Sequence, residues 1–395
     1  MFSKEMADLG KKRSTIREIF EYGNTRAKEI GRENIYDFSL GNPSIPAPSA
    51  MSEYLRELIE NEKPELLHGY TSAQGAENVR ISIAESLNRR FATSFNKDNI
   101  YMTVGAAAAL SIVLKALTEP ADEFIVFAPF FPEYRCFIES GAKAKCVVIP
   151  PDRENFQINF DEFEKAISEN TKGVIVNSPN NPSGAVYSEE TIKKLASLLE
   201  KKSEEYNHPI FLISDEPYRE IVYDGLNIPF VTKYYKNTIV CYSYSKALSL
   251  AGERIGYVLV PNEVTNSKDI YAAVCGAGRI LGYVCAPAMF QRVVAAFSDS
   301  TSDISIYEKN RNLLYDNLSK YGYKMVKPQG AFYIFLKALE EDEHAFCEKA
   351  KKYELLLVPG TDFGCPGYVR LSYCVSTSMI EKSLPLFEKL AKDYE

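Results

Sequence analysis

From residue 98 onward, short apolar runs alternate with stretches whose apolar positions recur every three or four residues. The runs are Tyr101–Thr103, Glu123–Phe127, Cys146–Ile149, Gly173–Asn177, Ile210–Ser214, Thr238–Tyr242 and Ile255–Val260. They are short and rich in β-branched and aromatic residues, so they are expected to be strands. Between several of them, Ala107–Leu117, Phe160–Glu169 and Glu189–Glu205 carry helical spacing. This alternation predicts an α/β fold: a mostly parallel seven-stranded sheet flanked by helices. In such sheets ligands bind beyond the carboxyl ends of the strands, so the residues just after each strand carry the most information.

The flanks follow other patterns. Residues 1–30 are expected to form a helical arm, in which Ser14 caps a helix carrying Ile16, Ile19 and Phe20. A short strand, Tyr36–Leu40, runs into Gly41-Asn42-Pro43, and Ile45–Pro48 reads as an extended crossing segment. Residues 49–62 look helical, and a polar loop, Gly69–Gly75, presents Tyr70. Beyond residue 286 the expected order is helix Asp303–Lys320, strand Ala331–Leu336, helix His344–Tyr353, strands Leu355–Val358 and Tyr368–Tyr373, and helix Met379–Tyr394. A chain of 395 residues exceeds one ordinary core. The expected division is an arm with part of a small domain (1–45), a large domain (46–287) and a smaller α+β domain (288–395).

Composition narrows the partners. The chain is 46% apolar and 25% charged, with net charge −7 and no basic block. That is ordinary for a soluble protein and argues against nucleic acid or anionic membranes as main partners. The first residues have no apolar core of a signal peptide, and no apolar run is long enough to span a membrane. A cytoplasmic location is expected. The eight cysteines form no C-x-x-C pair and read as reduced core thiols. The three histidines are far apart, without metal-ligand spacing.

The chemistry is concentrated after the strands. Ser243-Tyr244-Ser245-Lys246 follows one strand, and Arg254 stands shortly beyond, between Gly252 and Gly256. Desolvation beside a buried strand lowers a lysine's pKa and frees its amine to attack a carbonyl. Hydroxyls and a guanidinium suit a phosphate. Together they suggest a Schiff base to pyridoxal phosphate, although S-x-S-K alone also fits a surface loop. Gly105-Ala106-Ala107 opens a helix whose first amides can hold an anion. Phe130, Phe131 and Tyr134 form an aromatic cluster suited to stacking or to a core. Asn181 is fixed between two prolines, as a hydrogen-bond donor or a simple turn residue. Asp215 ends an apolar strand, where a carboxylate needs a partner such as a protonated pyridine nitrogen, and Tyr218 follows three residues later. Arg370 sits inside an apolar strand and wants a carboxylate from substrate or protein.

These motifs, in this order and over nearly the whole chain, resemble the fold-type I PLP-dependent aminotransferases of class I/II, the aspartate aminotransferase-like group. The match includes Gly41-Asn42-Pro43, Tyr70 with Gly75, Thr103-Val104-Gly105-Ala106, Asn181-Pro182-Ser183-Gly184 and Asp215-Glu216-Pro217-Tyr218. It continues through Ser243–Lys246, Gly252–Gly256, Pro328–Tyr333 and Arg370-Leu371-Ser372. The resemblance implies that Lys246 forms the Schiff base and shuttles the proton, and that Asp215 pairs the pyridine nitrogen. It further implies that Asn181 and Tyr218 hold the ring oxygen and that Phe131, or failing that Tyr134, stacks on the ring. Ser243, Arg254, Gly105, Ala106 and Ala107 would hold the phosphate, and Arg370, with Gly41 and Asn181 nearby, the substrate α-carboxylate.

The same resemblance implies a homodimer with shared sites, in which Tyr70 reaches the neighbour's phosphate. The expected activity is ping-pong transfer of an amino group between an α-amino acid and a 2-oxo acid. Arg279, among small and apolar residues, is expected to have an anionic partner, either a structural ion pair or the distal carboxylate of an aspartate/glutamate-type substrate held across the dimer. Two departures from the family stand out: Ala106-Ala107-Ala108 supplies no hydroxyl, and Phe131 replaces Tyr or Trp. The alternatives are a PLP-dependent C–S β-lyase on the same fold and a non-catalytic effector-binding protein.

Overall fold

The computed structural model describes residues 2–11 and 14–395. The first strand, β1, is Tyr36–Asp37. The next seven form one sheet. They are β2 (Ile100–Thr103), β3 (Glu123–Phe127), β4 (Lys145–Ile149), β5 (Thr171–Asn177), β6 (Phe211–Asp215), β7 (Thr238–Ser243) and β8 (Gly256–Leu259). Their order is β2-β8-β7-β6-β5-β3-β4. Only β8 runs against its neighbours, pairing antiparallel with β2 and β7.

Strands β3, β6 and β7 are buried at every position, because helices cover both faces. On one face Phe124, Val126, Ile213 and Ile239 join the core of helix Ala106–Leu117. On the other, Ile125, Val174 and Leu212 meet Phe163 and Leu195 from helices Phe160–Ala166 and Glu189–Tyr206. Asn159 and Ser188 cap those two helices, accepting from Glu162 N and Thr191 N. The first of them stops at Ala166 instead of Glu169. There the chain turns into β5, with Ser168 N donating to Thr171 Oγ1 at 2.9 Å.

A second sheet contains β9 (Tyr333–Lys337), β11 (Val358–Pro359) and β12 (Tyr368–Ser372), antiparallel in the order β11-β12-β9; β10 (Leu355–Leu356) lies between β9 and β11 in sequence. The run expected as one strand, Leu355–Val358, is therefore two. β10 pairs parallel with β1, while β11 pairs with β12. Helices Ser305–Lys320 and Thr377–Lys392 pack over these strands through Leu314, Leu318, Ile380 and Phe387. The expected N-terminal helix is present as Thr15–Ile30, with Ser14 accepting from Arg17 N. It places Ile19 against Leu356 and Val358. Helices Ser267–Ile280 and Ala288–Ala296 have no counterpart in the expectation from sequence. Glycines 276 and 278 disguise the periodicity of the first. Among the described residues no helix is long and apolar enough to cross a membrane.

Candidate active site

The carboxyl ends of β2, β3, β5, β6 and β7 face one cavity of about 340 Å³. Because β8 is antiparallel, its start lies at the same edge, with Gly256 opposite both Thr103 and Ser243. Arg254, two residues before Gly256, therefore reaches the cavity from the opposite chain direction.

Lys246 stands in a helical turn, Tyr244–Ala247, that Ser243 caps by accepting from Ser245 N at 3.1 Å. Its Nζ donates to the Gly41 carbonyl at 2.6 Å. Burial pushes its pKa down to about 8; Cys374 opposes this, and Arg254 and Arg370 add to it. A substantial fraction of the amine is then uncharged near neutral pH, as a nucleophile requires.

Beside the lysine, the Ser243 and Ser245 hydroxyls lie 2.6 Å apart, and Arg254 Nη1 donates to Ser245 Oγ at 3.3 Å. The N-terminus of helix Ala106–Leu117 joins them through Ala106 and Ala107. Gly105, at φ 96°, permits this closeness, since a Cβ there would stand 2.5 Å from Arg254 Nη2. Hydroxyls, a guanidinium and free helix amides form a cradle for a doubly charged anion.

Asp215 is buried at the end of β6, between Asn177 and Cys241 of the neighbouring strands. Burial raises its pKa to about 7, Tyr134's hydrogen bond pulls it down, and Glu216 pushes it up. Tyr134 donates its phenol proton to Asp215 Oδ2. Oδ1 has no hydrogen-bond partner among the described residues. A buried carboxylate with one bare oxygen facing a cavity calls for a cationic donor, and a protonated aromatic nitrogen is one.

On the far side, Arg370 is fully buried in β12. It donates from Nη1 to Asn181 Oδ1 at 3.0 Å and from Nη2 to the Ser39 carbonyl at 2.5 Å. Its Nε has no partner among the described residues. Tyr218 Oη lies 2.9 Å from Tyr333 Oη. Phe131 lines the same cavity and packs edge-on against Tyr134, 5.7 Å between centroids.

Residues 33–384 match the family Aminotransferase class I and II. The chain belongs to that family. A solved amino transferase from Eubacterium rectale superposes with a TM-score of 0.98 at 59% identity, over 100% of this chain and 99% of that one. The aspartate aminotransferase of Thermotoga maritima is 29% identical over 359 residues, 90% of this chain and 91% of that protein. An aromatic-amino-acid aminotransferase of Thermococcus litoralis is 29% identical over 395 residues, 96% of each. The protein is an enzyme of the transaminase class, and members of its family depend on pyridoxal phosphate.

Of the candidate site residues singled out in this aminotransferase sequence, all but Tyr70, Gly105, Phe130, Tyr134 and Arg279 line the cavity, and Gly105 backs its wall. Two expectations are corrected. Tyr134 does not share the stacking position with Phe131, because its hydroxyl is turned onto Asp215. Arg279 forms no structural ion pair among the described residues: it is exposed in the last turn of helix Ser267–Ile280, near the helix's negative end. Tyr70, expected to reach the neighbour, is 89% exposed and lies outside its own chain's cavity. Sequence reading missed Tyr333, although it ends the quoted Pro328–Tyr333 motif, and Ile16, which reaches the cavity from helix Thr15–Ile30. A second cavity, of about 380 Å³, surrounds Arg219 and Phe230 away from Lys246. Its arginines are already matched, Arg219 by Glu216 and Arg90 by Glu220.

Proposed function

We propose that the chain binds pyridoxal phosphate and moves an amino group between an α-amino acid and a 2-oxo acid in two half-reactions, as a cytoplasmic homodimer. The observation that carries this is Asp215, a buried carboxylate with one oxygen bare, across a single cavity from a lysine of lowered pKa and an anion cradle. Ser243, Arg254 and the amides of Ala106 and Ala107 would take the phosphate. Phe131 would cover the ring face, and Asn181 and Tyr218 would flank its hydroxyl oxygen. When bound, the cofactor's cationic ring withdraws electrons from the substrate's α-carbon. Asp215 keeps that ring cationic. Arg370 receives the α-carboxylate, with its free Nε as a further donor. Lys246, held by the Gly41 carbonyl, takes and returns the α-proton. The division at residues 45 and 287 belongs to the same proposal, supported by the separate sheets on the two sides.

The test is the purified enzyme with pyridoxal phosphate and a panel of amino acids and 2-oxo acids. Amine transfer dependent on the oxo acid supports the proposal. Pyruvate and sulfide released from cysteine conjugates without an acceptor would establish the β-lyase instead.

Dicarboxylic substrates of the aspartate/glutamate type are part of the proposal, with Arg279 of the partner subunit reading the distal carboxylate and Tyr70 completing the neighbour's phosphate site. Arg279 is exposed and so free to do this. Arg279→Ala should cost aspartate and glutamate about a hundredfold in kcat/KM and leave phenylalanine and alanine nearly unchanged. Equal losses in both classes would remove Arg279 from the specificity site.

Tyr134→Phe tests the support of Asp215. Without the phenol's donation the Asp215 pKa rises further, so a larger fraction is protonated near neutral pH. The acid limb of cofactor binding should move to higher pH, measured by fluorescence titration of the apoenzyme. An unmoved limb would make Tyr134 a packing residue only.

A further inference from the structure

One phenol in the cavity has no role so far. Tyr333 is 2% exposed and cannot turn to solvent. In β9 it stands opposite Ser372, while Arg370 stands opposite Phe335, so Tyr333 and Arg370 are diagonal neighbours on one face. The Arg370 guanidinium lies over the Tyr333 ring, 4.6 Å from its centroid. The hydroxyl at the other end lies 2.9 Å from Tyr218 Oη. It also fills the space over Gly41 where a Cβ would stand. Gly41 is the residue whose carbonyl accepts the Lys246 hydrogen bond. One rigid side chain thus touches the guanidinium, the tyrosine and the glycine around which the site is built.

The direction of the phenol–phenol bond decides what it does. Each hydroxyl has one proton to give. If Tyr218 gives its proton to a ligand oxygen in the cavity, Tyr333 must be the donor to Tyr218. Burial keeps both phenols protonated, so either can donate until a ligand takes the Tyr218 proton. It pushes the Tyr333 pKa up to about 12 and Tyr218 well above its usual range, so both keep their protons. The charged and titratable groups facing the pair are Arg370, Cys374 and Asp215, and none of them is a competing acceptor for Tyr333 in the observed bonding.

We propose that Tyr333 is a positioning residue with two ends: its hydroxyl donates to Tyr218 and holds it as a donor toward the cavity, while its ring holds the Arg370 guanidinium in place. The inference rests on the cofactor reading above. A chain of two phenols ending on the cofactor's ring oxygen is stronger than one, because each bond polarises the next. A donor at that oxygen also competes with the neighbouring N–H for it. The visible absorbance of the loaded enzyme should therefore lose its proton at lower pH when Tyr333 is intact.

The experiment is a spectrophotometric pH titration of the loaded enzyme, with kcat and KM measured alongside. Tyr333→Phe keeps the ring and removes the donor. It should raise the absorbance midpoint by about half a unit, the scale of one neutral hydrogen bond, and leave the amino-acid KM near wild type. Tyr218→Phe should raise the midpoint more, and adding Tyr333→Phe to it should raise it no further. Tyr333→Leu, which also loses the ring, should in addition raise the amino-acid KM several-fold. Gly41→Ala, which pushes the hydroxyl away from the other side, should shift the midpoint in the same direction and covers the case of a Tyr333 variant that does not fold. An unmoved midpoint in Tyr333→Phe, or full additivity with Tyr218→Phe, would overturn the proposal. A wild-type enzyme that acquires no visible band on loading would end the cofactor reading itself, and a loaded band that does not titrate would overturn this proposal alone, which separates the two failures.

Discussion

Lys246→Ala should lose at least about a thousandfold in turnover, roughly 4 kcal/mol, while still binding the cofactor. The cradle of Ser243, Arg254 and the amides of helix Ala106–Leu117 does not include the lysine side chain, so phosphate affinity survives. What disappears is the one amine lining the cavity among the described residues, and the proton carrier it provides. The pH dependence gives a second handle. With a pKa of about 8, roughly a tenth of Lys246 is uncharged at pH 7, against less than about one part in a thousand for an ordinary lysine. Carbonyl capture by the wild-type apoenzyme should rise with pH and level off above pH 8. Borohydride fixation followed by peptide mapping should find the label at residue 246. Label at any other lysine, or a pH profile rising without a plateau toward pH 10, would take Lys246 out of this role.

Asp215→Asn should cost at least about a hundredfold in rate, roughly 2.7 kcal/mol. The substitution preserves volume and can still accept the Tyr134 hydrogen bond, so it isolates charge. A neutral amide cannot keep a pyridine nitrogen protonated, and the ring then withdraws electrons less well. In the protein alone, burial holds Asp215 near pKa 7. A cation at Oδ1 favours the ionised form and lowers that value. Cofactor loading should therefore release protons when the enzyme is titrated near pH 7 in weak buffer, and Asp215→Asn should not show this release. A near-normal rate in the variant would leave Asp215 a structural residue.

Much of this arrangement was legible along the chain because it depends on local order. The strands stand out as apolar runs since both faces of the large sheet are covered, and continuous burial leaves continuous apolar sequence. Ser14, Asn159 and Ser188 mark helix starts because capping is settled within three residues. Asp215 and Lys246 could be picked out because they directly follow strands, and the parallel sheet aligns those ends. The single strand expected at Leu355–Val358 was not separable in the same way. Its halves differ only in which distant strand they pair with, Tyr36–Asp37 or Tyr368–Ser372.

The sequence by itself determined the fold class, the positions of most strands and the set of side chains brought to one edge of the sheet, since these follow from short-range periodicity and turn chemistry. The tertiary structure alone decided which atoms those side chains present to one another. The antiparallel direction of β8 turns Arg254 onto Ser245. The fold of the 128–135 segment aims Tyr134 at Asp215 instead of at the cavity. The diagonal register of β9 and β12 lays Arg370 over Tyr333 and leaves the Tyr333 hydroxyl on Tyr218. Exposure of helix Ser267–Ile280 leaves Arg279 without a structural ion pair among the described residues. The Tyr134, Arg370 and Tyr333 contacts join residues tens to more than a hundred positions apart, fixed by strand register and packing. No local pattern encodes them, because the energy that selects them is shared over the whole core.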